Sequence, residues 1–257
     1  MATSPLTWLA LVLLGVVVGA FGTLIGAGGG FVLVPVLLLL YPQESPKTIA
    51  TISLAVVFIN ALSGTIAYAR LGRIDYRTGL LFSAAATPGA IVGALATSLV
   101  RRGLFDVLFG VVLILLALYL LRFGRPTEGH TIPRSVNLKL GIVISFGVGL
   151  VSSFLGIGGG IIHVPLMIQV LGYPAHIATA TSHFILAITA FVGTVTHIAS
   201  GEFTEGWRRS IALGIGVLGG AQIGAALSQR VKSRWIVRSL AGGLLLVGLR
   251  VIFQAVR

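Results

Sequence analysis

The sequence predicts an all-α polytopic membrane protein of two repeats, each with about four full transmembrane helices and one glycine-broken or re-entrant segment. Three observations carry this. Of 257 residues, 56% are hydrophobic and 9% charged, against about half apolar and about a quarter charged in soluble domains. Uncharged runs near the roughly 20 residues that cross a bilayer core recur along the chain. A glycine-rich motif also occurs twice with matched flanks.

The runs are long rather than alternating, which favours helices over barrel strands. In the first half they predict a helix from Pro5 to Ile25, a break at the glycines, a short apolar piece from Phe31 to Tyr41, and helices near 47–70, 77–100 and 104–122. In the second half the pieces fall near 139–155, 161–172, 176–199, 207–229 and 234–254. No Lys or Arg precedes Lys47, so the first run lacks the basic start of a signal peptide and is expected to stay in the protein.

Gly26, Gly28, Gly29, Gly30 and Pro35 reappear as Gly156, Gly158, Gly159, Gly160 and Pro165, an offset of 130 residues from Gly26 to Gly156. Further on, Pro46, Ile49, Ala50 and Thr51 match Pro174, Ile177, Ala178 and Thr179, and Gly64-Thr65 matches Gly193-Thr194. The expected organisation is a repeat over 1–122, a linker over 123–138 and a second repeat over 139–257. Each piece after a glycine run is too short to span alone, at roughly 18 Å for a dozen residues. It either completes a broken helix, giving parallel repeats, or returns as a hairpin, giving inverted ones. With 70–77 and 122–139 cytoplasmic, both arrangements divide the 18 Lys and Arg as eleven inside and seven outside. Glu202 and Glu205 dilute the positive loop that the parallel arrangement requires, which favours inverted repeats.

The +12 net charge is spread through short connections, the pattern of topology and headgroup charges rather than of a nucleic-acid surface. There is no cysteine, which removes disulfides, thiolate metal sites and cysteine nucleophiles. His163 with His183 makes at most half a zinc site, and no metal or other cofactor is expected. Without a carboxylate pair or a Ser/His/Asp set in the apolar segments, no catalytic residue is assigned.

A glycine run at membrane depth leaves backbone groups that survive only inside protein or beside a wet cavity. The N–H groups of the helix that follows point into that break, a setting suited to an anion. The six acids fall in or beside connections, whereas cation carriers commonly keep Asp or Glu at depth. The candidate substrate-binding set is therefore Gly26, Gly28, Gly29, Gly30, Pro35, Thr51, Ser53 and Asn60 in the first half. In the second it is Gly156, Gly158, Gly159, Gly160, His163, Pro165, Thr179, Thr181 and His183. Thr51 with Thr179, and Ser53 with Thr181, are the hydroxyl pairs matched between halves. The competing reading of the glycines is close helix packing, and that of each histidine an interhelical hydrogen bond. His176 and His197, near segment ends, are expected at the interface.

On the doubled Gly-x-Gly-Gly-Gly-x4-Pro motif the chain resembles the sulfite exporter TauE/SafE family of membrane transporters over residues 8 to 254. The resemblance implies a multi-pass protein of a bacterial plasma membrane that carries sulfite, a sulfonate or a related organosulfur anion. Alternating access is the expected mechanism, with an anion channel as the alternative and a membrane enzyme a more distant one. The expected partners are a small anion and the bilayer, and a homodimer stays open because lipid-facing and partner-facing surfaces read alike.

Overall fold

A computed structural model describes residues 4–123, 137–199, 206–231 and 233–255. The described residues form ten α-helices: α1 (Pro5–Ile25), α2 (Gly30–Leu40), α3 (Pro46–Arg70), α4 (Tyr76–Ala96), α5 (Arg102–Phe123), α6 (Leu138–Phe154), α7 (Gly160–Pro165), α8 (Ala175–Ala199), α9 (Trp207–Ser228) and α10 (Ser233–Ala255). Among the described residues six stretches are long and apolar enough to cross a membrane: α1, α3, α5, α8, α9, and α4 with the turn after it. Most of the expected linker lies outside the described residues, between Phe123 and Asn137.

The starts of these helices are written locally. Ser4 and Ser45 accept the backbone N–H of Thr7 and Thr48, each followed by a proline in the first helical turn, while Asp75 and Asn137 cap α4 and α6 in the same way. Each side chain satisfies a donor that the first turn would otherwise leave bare. The two short helices begin at Gly30 and Gly160, one residue before the expected starts. The piece expected over 161–172 is not one α-helix: α7 stops at Pro165 and a π turn covers Leu166–Val170. A ring without an N–H interrupts the regular ladder there.

Packing crosses between the ends of the sequence. α1 lies along α9, and α4 along α6. Gly216, Gly220 and Gly224 of α9 face the carbonyls of Val12, Val16 and Ala20 in turn, so α1 and α9 run in the same direction. Gly89 and Gly93 of α4 meet Phe146 and Leu150 of α6, again in parallel. Side chains at these glycines would push the backbones apart, which is the use of small residues in membrane helix pairs. α3 and α8 form the buried centre and run oppositely, since Gly64 meets His183 while Gly193 meets Leu54. α5 and α10 are also antiparallel, with Gly110 against Ile252 and Gly248 against Ile114. Leu40 and Tyr41, ending α2, share a groove with Leu6, Thr7 and Ala10 at the start of α1. After the glycines the chain therefore turns back to the end it came from.

The two ends of the bundle are tied differently. At one, Arg209 pairs with Glu44 at 2.8 Å and lies 3.8 Å from the Tyr41 ring centroid. Beside it Arg102 donates to the carbonyls of Leu38, Pro42 and Glu44, each at 2.8 Å. At the other end Tyr173 donates to Asp75 at 2.7 Å, and the Asp75 N–H donates to the Thr181 hydroxyl at 3.0 Å. Exposed apolar side chains such as Leu6, Leu13 and Val17 on α1 and Leu246 and Phe253 on α10 leave the flanks suited to lipid.

Candidate functional site

Gly26, Gly28 and Gly29 have φ of 76°, 72° and 80°, and Gly156, Gly158 and Gly159 have 72°, 82° and 92°. Only glycine takes this left-handed region without a steric cost. The turn so made folds the chain against its own helix. Ala27 and Gly28 both donate to the Gly22 carbonyl, as Ile157 and Gly158 do to that of Ser152. Val32 and Leu33 donate to Gly29, and Ile162 and His163 to Gly159. The N–H groups of residues 29–31 and 159–161 stand outside these bonds.

The breaks meet between α3 and α8. A Cβ on Gly30 would sit 2.8 Å from the Ile157 carbonyl oxygen, and one on Gly160 would lie 3.1 Å from Ala27 Cα. Each is stapled by a serine of the opposite half: Ser53 donates to the Gly156 carbonyl at 2.7 Å, and Ser182 lies 3.1 Å from that of Gly26 and 3.2 Å from that of Gly160. Gly26 faces Thr179 in the second turn of α8, and Gly156 faces Ala50 in the second turn of α3. The first break thus lies toward the Asp75–Tyr173 end and the second toward the Glu44–Arg209 end.

Around the first break most side-chain polar groups are paired with one another, His183 Nδ1 being left without a partner among the described residues. The Asn60 amide donates to the Gly28 carbonyl at 3.1 Å, and Thr23 donates to Asn60 Oδ1 at 3.2 Å. His183 Nε2 is 3.1 Å from the Thr23 hydroxyl. With the one Thr23 proton given to Asn60, Nε2 has to carry the hydrogen that completes this chain. Tyr68 donates to the Thr23 carbonyl at 2.7 Å.

The second break is built differently. Thr189 reaches the Gly158 carbonyl at 3.3 Å. His163 stands between the Gly159 carbonyl and the Ser145 hydroxyl, 3.2 Å from each. Ser152 and Ser153 are 1% and 2% exposed, and their hydroxyls have no hydrogen-bond partner among the described residues. Both line a cavity with about 200 Å³ of interatomic space, walled also by Leu54, Ala90, Gly159 and Thr189 and too narrow as packed for a water-sized sphere.

The glycines, Ser53, Asn60, His163 and His183 are therefore brought together. Pro35 lies inside α2 and Pro165 ends α7, one turn beyond the breaks. Three expected hydroxyls point elsewhere: Thr51 and Thr179 donate to their own helices at Lys47 and Ala175, and Thr181 accepts from Asp75. The reason is one residue of register. The landmarks match Ser53 with Thr181, whereas the serines that staple the breaks are 53 and 182. His197, expected at the interface, is fully buried. Sequence reasoning missed Ser152, Ser153 and Thr189, although the offset of 130 that joins Gly26 to Gly156 also carries Thr23 to Ser153.

Outside the membrane segments, burial raises the Asp75 pKa, but hydrogen bonds from the Thr78 and Tyr173 hydroxyls and the Thr78 and Arg77 N–H groups outweigh it and leave the carboxyl below its ordinary value. Tyr173 is pushed up to about 12, chiefly by burial, with the Asp75 charge adding to it and the Thr78 hydroxyl opposing it.

Residues 11–251 match the family described as sulfite exporter TauE/SafE. The chain is 32% identical to the probable membrane transporter protein YunE of Bacillus subtilis, over 98% of this chain and 99% of that one. It is 25% identical to the probable membrane transporter protein MJ0441 of Methanocaldococcus jannaschii, over 93% of each chain. A probable membrane transporter protein of Xylella fastidiosa is 27% identical, over 89% of this chain and 87% of its own length. No solved structure matches.

Proposed function

Because this chain belongs to the sulfite exporter TauE/SafE family of membrane transporters, we propose that it carries a small anion, of the sulfite, sulfonate or related organosulfur class, across a bacterial plasma membrane by alternating access. The moving parts are two inverted repeats, 1–122 and 139–257, joined by the linker 123–138. Inversion is supported by the antiparallel pairs α3/α8 and α5/α10 and by the return of α2 toward the start of α1. On this arrangement the Asp75–Tyr173 end, which carries Arg70, Arg73, Arg77, Arg122, Lys139 and Arg230 among the described residues, faces the cytoplasm.

One observation carries the anion assignment: the central polar layer offers N–H and O–H donors and two imidazoles, while the described carboxylates Glu44, Asp75 and Asp106 lie in connections or in the second turn of α5. Such a layer solvates negative charge with fixed dipoles and holds no carboxylate to repel it. The donors lie on glycine turns stapled from the opposite half, so relative motion of the halves would reshape the site, the geometry of a discontinuous-helix carrier.

The test is flux in proteoliposomes with sulfite, methanesulfonate, acetate and chloride. Saturable uptake of one oxyanion class, lost in Gly29→Leu and Gly159→Leu proteins that still insert, is the expected result. Flux confined to cations would overturn the anion assignment. Very high turnover with steep voltage dependence would replace the carrier with a channel.

A further inference from the structure

We propose that the two glycine breaks are not equivalent, and that the oxyanion is bound at the second, by the hydroxyls of Ser152 and Ser153, while Asn60 closes the first as a permanent built-in strut. This rests on the anion-carrier reading above and names the place where the anion sits.

Asn60 and Thr189 do the same local work, reaching the carbonyls of Gly28 and Gly158. The carboxamide is one bond longer than the threonine hydroxyl and has both a donor and an acceptor, so it spans from Gly28 to Thr23. Thr189 donates only, and reaches no further than the carbonyls of Gly158, Ile185 and Leu186. Ser153 stands where the offset of 130 carries Thr23. Thr23 has Asn60 and His183 as partners, whereas Ser153 faces the side of α8 where Gly193 meets Leu54. Its hydroxyl is orphaned because a leucine and a shorter side chain occupy the places of imidazole and carboxamide. Thr189 lines the cavity, so a longer side chain there would reach into it.

The orphaning is not a habit of serines in these helices. Thr51, Ser83, Thr87, Thr97, Thr179, Thr194 and Ser210 all bond the carbonyl four residues earlier, the usual resort of a hydroxyl in a helix. Ser152 and Ser153 do not, although both are buried. Two buried donors aimed into one cavity, with no carboxylate on its walls, suit a small oxyanion. A Cβ on Gly159 would project between Ser152 and His163, 3.4 Å from Oγ and 3.5 Å from Nδ1. Glycine therefore keeps this wall back, and side chains must part to admit an occupant, as a site opened in turn to either side requires.

The experiment is thermal unfolding of the purified full-length protein with sulfite, methanesulfonate, acetate or chloride titrated in. Wild type is expected to be stabilised by an oxyanion. The double variant Ser152→Ala/Ser153→Ala should need at least tenfold more of it. Thr189→Asn, which builds the first break's strut into the second, should unfold at a higher temperature than wild type without anion and lose the anion response. Asn60→Thr should be less stable yet keep the response. A wild-type response that survives unchanged in the double variant and in Thr189→Asn, but disappears in Asn60→Thr, would move the site to the first break and overturn this inference alone. No response of wild type to any anion would overturn the anion reading together with it.

Discussion

Ser53 of α3 donates its hydroxyl to the carbonyl of Gly156, 2.7 Å away and 103 residues further along the chain. The bond holds a glycine turn of one half with a helix of the other. Ser182 makes the reciprocal attachment to Gly26.

Removing either hydroxyl leaves a buried carbonyl short of its donor. Ser53→Ala and Ser182→Ala should each lose about 1–3 kcal/mol of stability, read as a lower unfolding temperature in detergent. Ser98→Ala, whose exposed hydroxyl bonds only its own turn, should stay close to wild type.

The left-handed glycines separate strain from crowding. Gly72 has φ of 64° in a loop, with nothing within 4 Å of an added Cβ, so Gly72→Ala should cost about 1–2 kcal/mol from backbone strain alone and leave flux unchanged. At Gly29 the same methyl would lie 2.6 Å from Val18 Cγ1 and 2.7 Å from the Val18 carbonyl oxygen. Gly29→Ala should therefore cost roughly 1–3 kcal/mol more and reduce transport. Chemical denaturation and flux, measured on both variants, check the pair.

Asp75 gives the protein an acid-sensitive tie. Its pKa is depressed in the folded protein, so the stability it contributes is present above the ordinary carboxylate value of about 4 and is lost as pH falls through the lower folded value. Tyr173, pushed up to about 12, remains a donor throughout. Unfolding temperature should show no pH dependence from this tie between pH 7 and 5 and should fall below about pH 4. Asp75→Asn should be less stable at neutral pH and lack that acid step, which a pH series of melting curves would display.

Most of the helical layout was legible because membrane spans announce themselves by length and hydrophobicity, and because Ser4-Pro5, Ser45-Pro46 and Asp75 mark where helices begin. The breaks were legible as glycine runs. Register was not: a difference of one residue in loop length between the halves turned attention to Thr179 and Thr181, while Ser182 held the glycine carbonyl. Serine is common in membrane helices, and only the missing partners of Ser152 and Ser153 distinguish them from their neighbours. The side chains that leave them unpaired, Leu54 on α3 and Thr189 on α8, lie more than thirty residues away in the chain.

The pairing of α1 with α9 also sets a schedule. About 180 residues separate the end of one from the start of the other, so at roughly 5–20 residues per second α1 waits on the order of 10–40 s of synthesis for the surface it packs against. During that interval Gly15 and Gly19 face lipid, or α3 alone. A ribosome that stalls after α8 leaves an inserted chain whose first helix lacks its main packing partner, α9, a form that membrane quality control can recognise as unfinished.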